Sequence, residues 1–117
     1  MSFGRGDILL ADITYSDRSG SKRRPVLAVS ADANNAVIDD IILAAISSTT
    51  RNGAFTHVFV DPGTHEGLGS GLLHPSYIQC ENLFTLDQRF VVRSLGQLSA
   101  ILMHQVNDCL RSALELP

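Results

Sequence analysis

The stretch Lys22-Arg23-Arg24-Pro25-Val26-Leu27-Ala28-Val29-Ser30 sets three adjacent cations at the mouth of an apolar strand. Pro25 has no N–H to give to a ladder, which predicts the beginning or edge of the strand that follows. It also biases Arg24 towards an extended backbone, so that the guanidinium stands out from the strand end. Val26 to Val29 then reads as a buried strand. Adjacent cations repel, and on their own these three fit either a solvated face or a site for an anion. Arginine suits the second use, because its planar fork bonds two phosphate oxygens and stays charged at every working pH.

Upstream, Gly4-Arg5-Gly6-Asp7 supplies turn formers and Ile8 to Ile13 has the length of a strand. Tyr15 to Ser21 is a polar connection that carries Arg18 and leads straight to the cations. Downstream, Ala31 to Asn35 is small and polar, and Ile38 to Ile46 is an apolar, β-branched run. That run ends in Ser47-Ser48-Thr49-Thr50-Arg51-Asn52-Gly53, whose hydroxyls either cap a turn or donate to a phosphoryl oxygen. Phe55 to Val60 alternates as a half-wet strand does, with Phe55, His57 and Phe59 on one side. Thr64 to Pro75 holds Gly67, Gly69 and Gly71 but predicts a plain loop, since no strand leads straight in and no helix leads straight out. Tyr77 to Leu83 predicts a strand, and Phe84 to Asp87 a turn into a short strand at Phe90 to Val92. Ser99 is a plausible N-cap for the one convincing helix, with Leu102, Val106, Cys109, Leu110 and Ala113 forming a single apolar stripe. Short strands followed by one amphipathic helix predict a mainly β fold with α, a partly open barrel or strongly curved sheet with the helix packed on it.

A chain of 117 residues has the size of one domain, 1–117, with a core modest enough that dimerisation is a natural supplement. Its formal net charge of −3 argues against coating nucleic acid non-specifically. A local basic site is still allowed, because Arg5, Arg18, Lys22, Arg23 and Arg24 are five of the nine Lys and Arg residues. Cys80 and Cys109 are too few for a disulfide framework and lack zinc-ligand spacing, so both read as reduced thiols. Without a signal-like opening or an apolar run near the roughly 20 residues that span a bilayer, the expectation is a cytoplasmic protein with no membrane partner. His57, His65, His74 and His104 share no ligand spacing, which predicts no metal, no cofactor and a structural or solvated role for each. A serine hydrolase is disfavoured by the missing Gly-x-Ser-x-Gly elbow.

Taken together, these pieces resemble the MazF/PemK family of toxin–antitoxin ribonucleases. The likeness runs through Gly6-Asp7-Ile8 with Ala11-Asp12, Gly20-Ser21-Lys22-Arg23-Arg24-Pro25-Val26-Leu27, Ala45-Ile46-Ser47-Ser48, Thr56-His57-Val58, Gly71-Leu72-Leu73, Leu83-Phe84-Thr85-Leu86-Asp87 and Leu95-Gly96-Gln97-Leu98-Ser99. It implies a small SH3-like barrel of the CcdB/PemK kind with a C-terminal helix, a homodimer, a cognate antitoxin, and metal-independent cleavage of single-stranded RNA. By the same likeness Arg24 and Ser47 are the catalytic pair, with Arg18, Lys22, Arg23, Ser48, Glu81 and Asn82 contacting RNA. Glu81 would orient Arg24 or contact a base. Three positions depart from the family pattern: Ser47 stands where threonine is usual, Phe84 where well-described members often carry arginine, and Asn82 where they carry glutamine. Phe84 either fills the core or stacks on a base. The alternative function is a barrel-type toxin that inhibits a protein target such as DNA gyrase.

Overall fold

The computed structural model describes residues 2–14, 20–50 and 55–117. Six strands form one antiparallel sheet: β1 (Asp7–Thr14), β2 (Ser21–Ala28), β3 (Asp40–Ser47), β4 (His57–Val60), β5 (Ser76–Asp87) and β6 (Val91–Gln97), in the order β4-β5-β3-β2-β1-β6. Helix α1 (Asp32–Val37) bridges β2 and β3, and α2 (Ala100–Leu114) follows β6. No described helix is long and apolar enough to cross a membrane.

The sheet is curled enough to bury side chains on both faces. Ile8, Leu27, Ala44, Ile46, Val58 and Ile78 pack with Leu102 and Val106 of α2. Their immediate chain neighbours Leu9, Val26, Ala28 and Leu43 form a second cluster on the opposite face, closed by Phe3, Ile13, Phe84, Leu86 and Val91. Successive residues of a strand point to opposite faces, so a sheet covered twice asks for continuous apolar runs. Ile8-Leu9-Leu10 and Ile41 to Ile46 are such runs. The curved, helix-backed sheet expected from the sequence is therefore present, and Phe84, half-buried, packs against its second cluster.

Helix α2 starts where the sequence places it. Ser99 keeps an extended backbone, and its Oγ accepts the Leu102 N–H at 3.2 Å. Leu102 and Val106 are buried, while Cys109, Leu110 and Ala113 pack against the same cluster. Each fully buried aliphatic side chain of this kind contributes about 1.5–3 kcal/mol.

Three local expectations need correction. β2 begins at Ser21, so Pro25 lies inside the strand, opposite Leu10 of β1. It is tolerated because β3 pairs with β2 only over Val26 to Ala28, leaving the other edge of residues 21–25 without a ladder. Phe84 to Asp87 does not turn: β5 continues through it against Leu43 to Asp40, after an irregularity opposite Ala44 and Ala45. The turn comes at Gln88 to Phe90, and β6 runs on to Gln97. Finally, Asp32 to Val37 is helical despite its two asparagines. Asn35 is buried, meeting Ser30 Oγ at 2.5 Å and donating to the Ser30 carbonyl at 3.2 Å, and that tertiary anchor outweighs a poor local propensity.

Candidate active site

Residues of β1, β2 and β6, the end of β3 and the loop leading into β5 line a cavity of about 450 Å³. Arg24 and Pro25 reach it from β2, Ile46 and Ser47 from β3 with Ser48 just after it, and Arg93 and Leu95 from β6. Leu72, Leu73, His74 and Ser76 close the remaining side. This wall depends on Gly71, whose φ is +74° and whose missing side chain lets the loop lie against the Leu95 carbonyl; a Cβ there would stand 1.9 Å from that oxygen. Only glycine fits such an approach.

The lining joins apolar side chains, among them Leu10, Ile46, Leu72 and Leu95, to cationic ones. Among the described lining residues there are two arginines, a histidine and three serines, and no carboxylate. A net-negative protein thus keeps a locally positive hollow, where a low-dielectric wall strengthens the field felt by an anion. Ser47 is half-buried; its Oγ accepts the Thr49 N–H and meets the Thr49 hydroxyl, each at 3.2 Å. The turn-capping role and the cavity-facing role read from sequence therefore coexist in one side chain.

Of the residues expected from sequence, the fold brings Arg24, Ser47 and Ser48 together. Arg23 pairs with Asp12 directly across the β1–β2 ladder at 3.2 Å, and Lys22 is exposed beside it opposite Ile13, so both belong to the approach rather than to the cavity lining. Arg18 lies outside the described residues. Glu81 and Asn82 are elsewhere, on β5. Glu81 is bonded to His57 and Thr56, and Asn82 donates to Gln79 at 3.2 Å. His57 thereby has partners that its sequence surroundings did not suggest.

Arg93 is the cavity residue that the sequence left unmarked. It stands opposite Leu10 of β1, itself opposite Pro25 of β2, so two ladders deliver it to the cluster. Its own neighbours, Val92 and Ser94, carry no signal of that. Arg5, counted among the N-terminal cations, is committed elsewhere, to the Val29 carbonyl and the Asn107 side chain. No group of three or more His, Cys, Asp or Glu side chains that could hold a metal ion occurs among the described residues.

A family model for PemK-like, MazF-like toxins of type II toxin–antitoxin systems matches residues 4–114. The chain belongs to that family. Among its MazF-like relatives is endoribonuclease MazF6 of Mycobacterium tuberculosis, 32% identical over 119 residues that cover 99% of this chain and all of the relative. In three dimensions it is similar to an endoribonuclease solved in complex with its cognate antitoxin from a mycobacterial species, with a TM-score of 0.81, 26% identity and coverage of 99% and 98% of the two chains. It is also similar to the M. tuberculosis toxin MazF-mt6, with a TM-score of 0.76, 26% identity and 95% and 98% coverage. The barrel-like toxin fold that the resemblance implies is thus the fold of this chain.

Proposed function

We propose that this toxin is an endoribonuclease that cleaves single-stranded RNA in the cavity holding Arg24 and Ser47, arresting translation and growth. The observation that carries this is the meeting of Arg24, Ser47 and Ser48, from two strands, in one positively lined hollow of a MazF-like fold. Relatives named as endoribonucleases favour this reading over inhibition of a protein target.

In the proposed reaction the ribose 2′-hydroxyl attacks the adjacent phosphorus and the 5′-oxygen leaves. The products are a 2′,3′-cyclic phosphate and a 5′-hydroxyl end, so no water and no metal-bound nucleophile is consumed. Negative charge grows on the non-bridging oxygens, and a fixed guanidinium aimed at that charge lowers the barrier. Arg24 takes this role; a group of such high pKa is poorly suited to act as base. Ser47 donates its hydroxyl to the same phosphoryl group, and Arg93 and Ser48 hold the flanking backbone. Lys22, Arg23 and Arg18 guide the strand towards the cavity.

Because one relative was solved with its cognate antitoxin, an acidic antitoxin segment competing for this hollow is the proposed regulator. The proposed working unit is a homodimer of the single domain 1–117, acting in the cytoplasm where its substrate is. The test uses folded, antitoxin-free protein with a long unstructured RNA in excess chelator, followed by end-group analysis. Cyclic phosphate and 5′-hydroxyl ends are expected. Intact RNA would refute the assignment.

A further inference from the structure

Behind the cavity, β4 and β5 carry a cluster that the cleavage scheme leaves unused. The His57 side chain is only 3% exposed, yet both ring nitrogens are engaged. Nε2 lies 3.0 Å from Glu81 Oε2, and Nδ1 lies 2.8 Å from the Thr50 hydroxyl. Thr56 donates its own hydroxyl to the second Glu81 oxygen at 2.9 Å. An ionised carboxylate only accepts, so Nε2 carries a proton towards Glu81; Nδ1 shares a hydrogen bond with the Thr50 hydroxyl, accepting it in the neutral ring and donating it in the charged one. Burial works to raise the Glu81 carboxyl, but hydrogen bonds from His57, its own backbone and Thr56 outweigh it and hold the group below the ordinary carboxylate range.

Thr50 belongs to the same hydroxyl-rich stretch that Ser47 begins. Ser47 Oγ is fixed through Thr49 at 3.2 Å, and the next residue is held by the imidazole. A connected path therefore runs from Glu81 through His57 to Thr50, and along the chain to Ser47, which lines the cavity. Packing alone does not account for it: the ring lies 6.4 Å, centroid to centroid, from that of Tyr77, a place an apolar aromatic would fill without two polar atoms to satisfy.

We propose that His57, braced by Glu81, is a positioning residue that fixes the Ser47–Thr50 turn and so the direction in which Ser47 presents its hydroxyl to the substrate phosphate. This rests on the nuclease reading of the cavity. Small displacements of a reacting group cost rate rather than binding, so the expected effect is on kcat, about tenfold or more.

The test compares Thr50→Val, His57→Gln, Ser47→Ala and the Thr50→Val/Ser47→Ala pair on a short RNA with one cleavable junction. Thr50 is exposed, so its valine variant keeps the fold even where a change at buried His57 does not. Expected are a kcat lowered about tenfold with KM within about twofold for Thr50→Val and His57→Gln, and no further loss from Thr50→Val once Ser47 is alanine. Equal losses from Thr50→Val in both backgrounds, or an unchanged kcat, would overturn the proposal. Nitrogen relaxation of the residue 47–50 amides supplies a readout that needs no activity. Order parameters should fall in the variants while those of Ile41 to Ile46 hold, and unchanged values at 47–50 would also overturn it. Wild-type protein that fails to cleave would sink the nuclease reading, while the relaxation arm still decides whether His57 holds the turn.

Discussion

Replacing Gly71 by alanine attacks the loop wall of the cavity at its tightest point. The new Cβ would lie 1.9 Å from the Leu95 carbonyl oxygen and 2.5 Å from its carbon. Even a close C–H···O contact keeps carbon and oxygen about 3.3 Å apart, so the loop or β6 has to yield by more than about 1 Å. Overpacking of that kind costs about 1–3 kcal/mol, and the left-handed backbone adds about 1–2 kcal/mol for an L-residue. Together they give about 2–5 kcal/mol, a large part of the stability of a small domain. Gly20→Ala is the internal control: φ is +112° there too, but among the described residues nothing lies within 4 Å of the added carbon. Urea unfolding of both variants separates the two contributions. Gly71→Ala should lose about 1–3 kcal/mol more than Gly20→Ala, and RNA cleavage should fall as the wall moves. Equal losses would refute the claim that the close approach at Leu95 is what seats the wall.

Ser99→Ala removes the cap of α2 and should cost about 1 kcal/mol in urea or thermal unfolding, leaving the Leu102 N–H dependent on water. Burial, reinforced by Cys109 and Glu81, pushes the Cys80 thiol up to about 12, and burial with Asp108 raises Cys109 as well. Cys80 of the native protein should therefore resist iodoacetamide at pH 8 and label only in denaturant, while half-exposed Cys109 is the faster of the two; rapid native labelling of Cys80 would contradict its placement. Glu81 is held below its ordinary value, so its contribution to stability is present above the unfolded-state pKa and is lost as pH falls through the folded one. Glu81→Gln should flatten that acid limb of an unfolding-versus-pH series, and an unaltered limb would show that the His57 and Thr56 bonds do not stabilise the carboxylate.

What the sequence made legible and what it hid have physical reasons. β1, β3 and α2 were readable because their patterns are local: apolar runs of strand length, then a serine cap before a stripe at three- and four-residue spacing. α1 was hidden because its helix rests on Asn35 bonding back to Ser30, a contact no window of propensity contains. Phe84 to Asp87 reads as a turn because Asp87 is a turn residue, whereas the ladder to β3 holds the segment extended. Pro25 sat inside a strand for a similar reason, since which edge of β2 has a partner is decided by β3. In the site, Arg24 and Ser47 were marked by their motif surroundings. Arg93 and the His57–Glu81 pair are products of strand register, and register is not written in any one segment.

The protein is acidic overall and cationic at one place. Steering of RNA should accordingly be local and salt-sensitive, falling away with ionic strength faster for Lys22 and Arg23 changes than for a change inside the cavity.

The most direct measurement is the single-turnover cleavage rate of one short RNA, in chelator, by wild type, Arg24→Ala and Arg23→Ala, each checked for a native unfolding transition. Neighbours in the chain, these two arginines differ in where they point: Arg24 lines the cavity, while Arg23 is tied to Asp12. Loss of a charge aimed at the transition state costs about a hundredfold or more, so Arg24→Ala should fall by at least that while Arg23→Ala falls only a few-fold and recovers at low salt. Equal losses at the two positions, or an Arg24→Ala protein that cleaves at the wild-type rate, would contradict the assignment of the cavity as the catalytic site.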